Sequence, residues 1–336
     1  MQSFTVCSLP DRKNEEEGRM RLLACSQPDR RFMEIEFKKI GLEDRELIDR
    51  YLNQKRYRSC ELIFPNIYLW SRKYPTEFAV VEDALVFRGT LENGEPSITF
   101  PAGEPAQIRR SMDVMLEWFH SEQKEFHMHL VQEQEFELLQ QWYPGKFQIA
   151  YDRDSADYVY ETEKLTTLAG KKLHGKRNHI NKFKENYPEW VYEPVTGENV
   201  EECFQMALKW RTEAECDQDE EKRAEMCVTL NALRLFEELR LKGGLLRTEP
   251  KGEIVAFTIG EPLNPDTFVV HIEKAFAHVQ GAYPMINQQF VTHEAQEYQY
   301  VNREEDTGAE GLRKAKLSYR PVFLVEKGMV TCGKKS

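Results

Sequence analysis

TFVVHIEKAFAHVQGAYPMINQQFVTHEAQEYQYVNREEDTGAEGLRKAKLSYRPVFLVE, Thr267 to Glu326, decides the reading of the fold. Its apolar spacing changes period four times. Thr267–Lys274 reads as a strand and Phe276–Gly281 as a loop. Ala282–Gln296 reads as a helix, Tyr298–Asn302 as a strand, Gly311–Ser318 as a helix and Pro321–Glu326 as a strand.

Upstream, strands are expected at Leu245–Thr248 and Glu253–Glu261. Before them a helix over Glu220–Leu241 is expected to stop at Gly243-Gly244. A further helix begins near Glu198, with Val200, Cys203, Phe204, Ala207 and Leu208 on one stripe and Thr196 near its cap. Trp190–Pro194 reads as a strand. The first half repeats this order. A strand at Phe32–Ile40 precedes a helix from Asp44 and a helical stretch over Glu61–Arg72. Strands follow at Phe78–Val81, Ala84–Arg88 and Ser97–Phe100. Then come a helix at Pro105–Glu122, a strand at Phe126–Val131, a helix at Glu133–Tyr143 and a strand at Phe147–Tyr151. Both halves read β-α-α-β-β-β-α-β-α-β, an α/β (α+β) chain with a mixed central sheet flanked by helices in each half. The expected divisions are an extension at 1–32, a first domain at 33–160, a basic helical bridge at 161–187, a second domain at 188–330 and a tail at 331–336.

With 336 residues, 40% hydrophobic and 11% aromatic, the chain can fill two cores. Its net charge of −11 excludes a general nucleic-acid coat. There is no run of about 18 apolar residues and no apolar leader. Seven cysteines at 7, 25, 60, 203, 216, 227 and 332 form no CxxC, and no paired histidines suggest a metal. A cytoplasmic protein with reduced thiols and no metal is expected.

Several runs are family-specific: YRSCELIFPNIYLW (Tyr57–Trp70), KKLHGKRNHINKF (Lys171–Phe183), KGGLLR (Lys242–Arg247), QGAYPMINQQF (Gln280–Phe290) and, above all, YVNREEDTGAEGLRKAKLSYRPVFLVEK (Tyr300–Lys327). On these the chain, from about Met33 to Lys327, resembles the C-terminal domain of phosphatidylglycerol lysyltransferases. The resemblance implies two tandem GNAT-like acyltransferase domains, similar to those of Fem-type peptidyltransferases. It implies an activated acyl donor, aminoacyl-tRNA or acyl-CoA, passing its acyl group to an amine or hydroxyl. The chain departs from those enzymes in lacking their multi-span membrane part, so a lipid acceptor is not carried over.

In such a fold two neighbouring strands splay to admit the donor; here they are Thr267–Lys274 and Tyr298–Asn302. Coenzyme A–dependent members carry R/Q-x-x-G-x-G/A at the following helix, whereas this chain has His278-Val-Gln-Gly281-Ala-Tyr283, matching at Gly281 alone. Asp306, Glu305 and Glu304 are the candidate proton acceptors or amine clamps, in that order, since transfer to an amine or hydroxyl needs a base. Asn302 and Arg303 precede them. His271 and Glu273 are expected on one strand face beside the cleft. Arg313, Lys314 and Lys316 are candidates for donor phosphate or for charge on the acyl oxygen. The bridge carries Lys171, Lys172, Lys176, Arg177 and Lys182 with no acidic residue from Lys171 to Lys184. Lys172, Lys176 and His179 share a helical stripe suited to tRNA or an anionic headgroup. Tyr57, Phe64, Tyr68 and Trp70 are expected in the core, with Arg58 and Asn66 lining a cleft between the halves. The competing readings are a coenzyme A–dependent N-acyltransferase and a binding protein that keeps the fold without the chemistry.

Overall fold

The computed structural model describes residues 35–55 and 57–333. The expected extension at 1–32 and the start of the Phe32–Ile40 strand lie outside them. What is described of that strand is the two-residue β1, Lys38–Lys39.

The first run of elements is β1, α1 (Arg45–Leu52), α2 (Phe64–Trp70), β2 (Glu77–Val81), β3 (Ala84–Thr90), β4 (Pro96–Thr99), α3 (Pro105–Ser121), β5 (His127–Val131), α4 (Glu133–Trp142) and β6 (Phe147–Glu161). A bridge of α5 (Thr162–Thr167) and α6 (His174–Asn186) follows. The second run is β7 (Val191–Pro194), α7 (Val200–Glu213), α8 (Glu220–Arg234), β8 (Lys242–Arg247), β9 (Ile254–Asn264), β10 (Thr267–Ala275), α9 (Ala282–Glu294), β11 (Tyr300–Asn302), α10 (Glu310–Ser318) and β12 (Phe323–Cys332).

These strands form a 12-stranded mixed sheet, ordered β1-β2-β3-β4-β5-β12-β6-β11-β10-β9-β8-β7. In each run four strands meander antiparallel, a helix crosses over, and the fifth strand lies parallel to the fourth, β5 on β4 and β11 on β10. The last strands are exchanged: β6 pairs with β11 of the second run, and β12 pairs with β5 of the first. β6 and β12 also pair with each other, antiparallel. The middle of the sheet is therefore built from both halves.

Three sequence expectations give way. Gly243 and Gly244 do not stop a helix but lie in β8. A Cβ on Gly243 would sit 2.8 Å from Val195 Cβ, and one on Gly244 2.4 Å from the Tyr192 hydroxyl, so the glycines admit β7. α8 has already ended at Arg234, not Leu241. β6 runs ten residues past the expected Tyr151, because Val325 pairs with Asp157 while Lys327 pairs with Asp152, and the residues between bulge from the ladder. β12 likewise extends to Cys332, into the expected tail.

β9 and β10 are buried along most of their length, covered on both faces by helices. α9 packs on β8, β9 and β10 and against α5 and α6 of the bridge. Gly281, at its N-cap with φ +84°, makes that packing possible: a Cβ there would lie 2.2 Å from the His179 carbonyl oxygen. Gly281→Ala is expected to destabilise the protein by about 2–5 kcal/mol, left-handed strain plus a backbone clash, as measured by urea unfolding.

Candidate functional site

β10 and β11 stay paired for three rungs only, Thr267 to Tyr300, Phe268 to Val301 and Val269 to Asn302. β10 then continues on β9 to Ala275. The other chain leaves: Arg303 N–H donates to the Tyr158 carbonyl of β6, and Tyr158 N–H to the Glu304 carbonyl. Glu304 takes a left-handed φ of +58° to make this turn. From Val270 onward β10 has no strand on that side, and side chains span the opening.

Asn302 fixes where the strands part. It is fully buried, donates to the Arg58 carbonyl at 2.7 Å and Asp157 Oδ2 at 2.9 Å, and accepts from Glu304 N–H at 2.7 Å. His271 and Glu273 do not share a face as expected, because a register irregularity between Val270 and Ile272 breaks the alternation. His271 donates to Glu304 Oε1 at 2.7 Å and Glu261 Oε1 at 3.0 Å. Burial disfavours its charge, but the two carboxylates outweigh burial and raise its pKa to about 10. It is an imidazolium strut. Glu273 instead accepts from Asn287 of α9 at 3.0 Å and Arg303 at 3.1 Å.

Behind the turn lies a buried charge cluster. Ligand-type atoms of Cys60, Glu61, Asp157 and Glu305 lie within 4.8 Å of one another, a grouping that could hold a cation. The Lys327 ammonium, fully buried on β12, supplies one: it donates to Glu61 at 2.5 Å and Asp157 at 2.6 Å. The Cys60 thiol lies 3.3 Å from Asp157 and 3.6 Å from Glu305. Burial penalises Lys327's charge, yet Asp157 and Glu61 hold its pKa well above the usual lysine range. Three carboxylates face one ammonium. Burial, opposed by Lys327 and reinforced by Glu61, Glu304 and Asp157, raises Glu305 to about 7. Glu305 is thus poised to gain or lose a proton near neutrality.

Asp306, the first choice from sequence, is differently placed. It is fully buried and accepts from Arg313 at 2.6 and 2.8 Å, from Gly308 N–H at 3.0 Å and from the Tyr158 hydroxyl. Burial works to raise its pKa, but those donors hold it at about 2. A carboxylate so claimed is a poor proton acceptor; it anchors α10. Arg313 is spent on Asp306 and Asp154. Lys316 donates to the Arg303 carbonyl at 2.7 Å and to the Glu305 carbonyl, so it braces the turn. Lys314 is exposed.

On the α9 side, Gly281 lies against α6 and Tyr283 is exposed. Two of the four N–H positions that a helix start leaves open are lost at α9: Ala282 N–H goes to Val279, and Pro284 has none. Of the bridge residues, Lys171, Lys172 and Lys182 are exposed, and Arg177 caps the Leu168 and Gly170 carbonyls. Among those five basic residues Lys176 turns toward the second run, its Nζ 4.0 Å from the Tyr319 ring centre. Sequence reasoning missed Cys60, Glu61, Asp157, Asn287, Tyr319 and Lys327. A lysine inside the apolar run FLVEKGMV was the one available signal.

The molecule is a mixed α/β protein whose two parallel strands part after three rungs. The chain belongs to the family of phosphatidylglycerol lysyltransferase C-terminal domains, whose model matches residues 53–330. A solved conserved protein of unknown function from Bacteroides thetaiotaomicron is 40% identical, with TM-score 0.83, covering 88% of this chain and 99% of that one. The structure of L-PGS from Bacillus licheniformis shares the fold at 14% identity and TM-score 0.59, over 89% of this chain and 94% of that one. An uncharacterized protein of Mycoplasmoides gallisepticum is 24% identical over 195 residues, 56% of this chain and 61% of that protein's length. Among the described residues no helix is long and apolar enough to cross a membrane.

Proposed function

We propose that the opening between β10 and β11 transfers an aminoacyl group from an activated ester to an amine or hydroxyl acceptor, with Glu305 as base. The observation that carries this is the early parting of the two strands beside a carboxyl held near pKa 7. The acceptor's N or O attacks the ester carbonyl and its proton passes to Glu305. Arg303 faces the same opening, and its guanidinium suits the charge that develops on the carbonyl oxygen. As the tetrahedral species collapses, the bond from carbonyl carbon to donor oxygen breaks and that oxygen takes up the proton.

The donor is read as aminoacyl-tRNA. The family's description as a lysyltransferase favours it, and so does the basic α6 beside the opening. The first turn of α9 is a poor pyrophosphate cradle, with one amide missing at Pro284 and one engaged at Ala282, which counts against coenzyme A. The two runs of elements are read as two copies of one acyltransferase unit. Radiolabelled lysyl-tRNA mixed with phosphatidylglycerol vesicles or with small amines is expected to yield enzyme-dependent lysyl product, and labelled acetyl-CoA none. Acetyl transfer without lysyl transfer would overturn the donor assignment.

A further inference from the structure

We infer that Lys176 and Arg303 form a subsite for a single phosphate group on the α6 side of the opening. Both cations address one ring. Lys176 Nζ lies 4.0 Å from the centre of Tyr319 and Arg303 Cζ 4.7 Å from it, with Tyr160 closing the other side of the guanidinium at 5.8 Å. Like charges brought to one ring repel unless an anion joins them. The carboxylate at hand, Glu273, is already shared between Arg303 Nη2 and Asn287 Nδ2. Among the described residues Lys176 takes no hydrogen-bond or ion-pair partner.

Two buried atoms there are unsatisfied. Arg303 Nη1 finds no acceptor within hydrogen-bond geometry although the Tyr319 phenol lies alongside, and Asn287 Oδ1, on a side chain 1% exposed, finds no donor. Leaving such atoms buried and unpaired costs free energy, so each marks a place for a ligand or water. A phosphate oxygen satisfies the guanidinium and the ammonium together. A hydroxyl or amine carried beside it satisfies the asparagine. Burial and, after it, the close Arg303 guanidinium also hold Lys176 at about 8, and a bound anion would oppose that shift.

The inference depends on the proposed transfer reaction only for which phosphate is bound in the cell. Phosphate binding can be measured without any transfer assay, so either idea can fail alone. Thermal unfolding of the full chain is followed with sodium phosphate, adenosine 5′-monophosphate or uncharged tRNA, each against sodium chloride at matched ionic strength. Phosphate and the mononucleotide are expected to raise the midpoint beyond chloride in the wild type and in Lys182→Gln, and to lose that excess in Lys176→Gln. As a second readout, limiting acetic anhydride at pH 8 is expected to modify Lys176 at least about threefold more slowly with phosphate bound, with Lys182 unchanged as internal reference. No phosphate-specific rise, an equal rise in Lys176→Gln, or an effect from tRNA alone would overturn the single-phosphate subsite. The last result would assign α6 to diffuse RNA contact.

Discussion

Glu305→Gln is expected to lower aminoacyl transfer by about 10²- to 10⁴-fold, the range lost with a general base, while leaving the fold intact. The amide keeps the shape of the side chain and removes an ionisable group from a cluster in which three carboxylates face one ammonium. The pH profile carries the sharper test. Glu305 is raised to about 7 by burial, and it accepts a proton only when ionised. In the wild type kcat/KM should therefore rise about tenfold per pH unit below 7 and level off above it. In Glu305→Gln that limb should vanish. A wild-type profile flat from pH 5 to 8, or a variant that keeps the limb, would remove Glu305 from the chemistry. Asp306→Asn provides the contrast. Asp306 is held at about 2 by Arg313, Tyr158 and Gly308, so its loss should loosen α10 without creating or moving a limb near neutrality.

The second large effect is expected from Lys327→Met. Lys327 is fully buried between Asp157, also fully buried, and Glu61. Removing one partner of a buried pair leaves an uncompensated charge, which costs about 3–5 kcal/mol. A domain of ordinary stability has about 5–15 kcal/mol to lose, so the variant should be near its limit at 37 °C. The sign of the pH dependence follows. Without the ammonium the carboxylates have raised pKa values in the folded state, so their protonation on acidification relieves the strain. The deficit in urea unfolding should shrink from pH 8 to pH 5. Lys327→Met combined with Asp157→Asn should recover part of it, because the double change removes both charges. An additive double variant would show that the pair does not act as a unit.

Lys327 and Asp157 also show why part of the site is hidden in the sequence. They lie 170 positions apart and meet because β6 and β12 are exchanged between the two runs. No local pattern reports such an exchange, and the bulge between Asp152 and Asp157 interrupts the alternation that would have extended β6. The two strands that flank the opening were legible, since the change of period from Thr267 to Asn302 marks two strands with a helix between them; that they part was implied by the family resemblance alone. The acidic turn was legible as a group, but its division of labour was not. Asp306 and Glu305 are neighbours with the same chemistry. One is claimed by Arg313 and the Tyr158 hydroxyl; the other faces Cys60 and the carboxylates behind it. Only the tertiary surroundings separate an anchor from the proposed base. In the same way Gly243 and Gly244 read as a helix stop from local propensity, although their requirement comes from the approach of Val195 and Tyr192.

Transfer at this site requires that the gap beyond Val269 and Asn302 admit an aminoacyl group beside Glu305. A crystal structure of the protein with a non-hydrolysable, amide-linked lysyl-adenosine decides whether it does. The expected result is ligand density between residues 270–275 and 303–305, with the site of acceptor attack within about 3 Å, or one water, of the Glu305 carboxyl. Density confined to another part of the surface, with His271–Glu304 and Glu273–Arg303 still closing the gap, would contradict it.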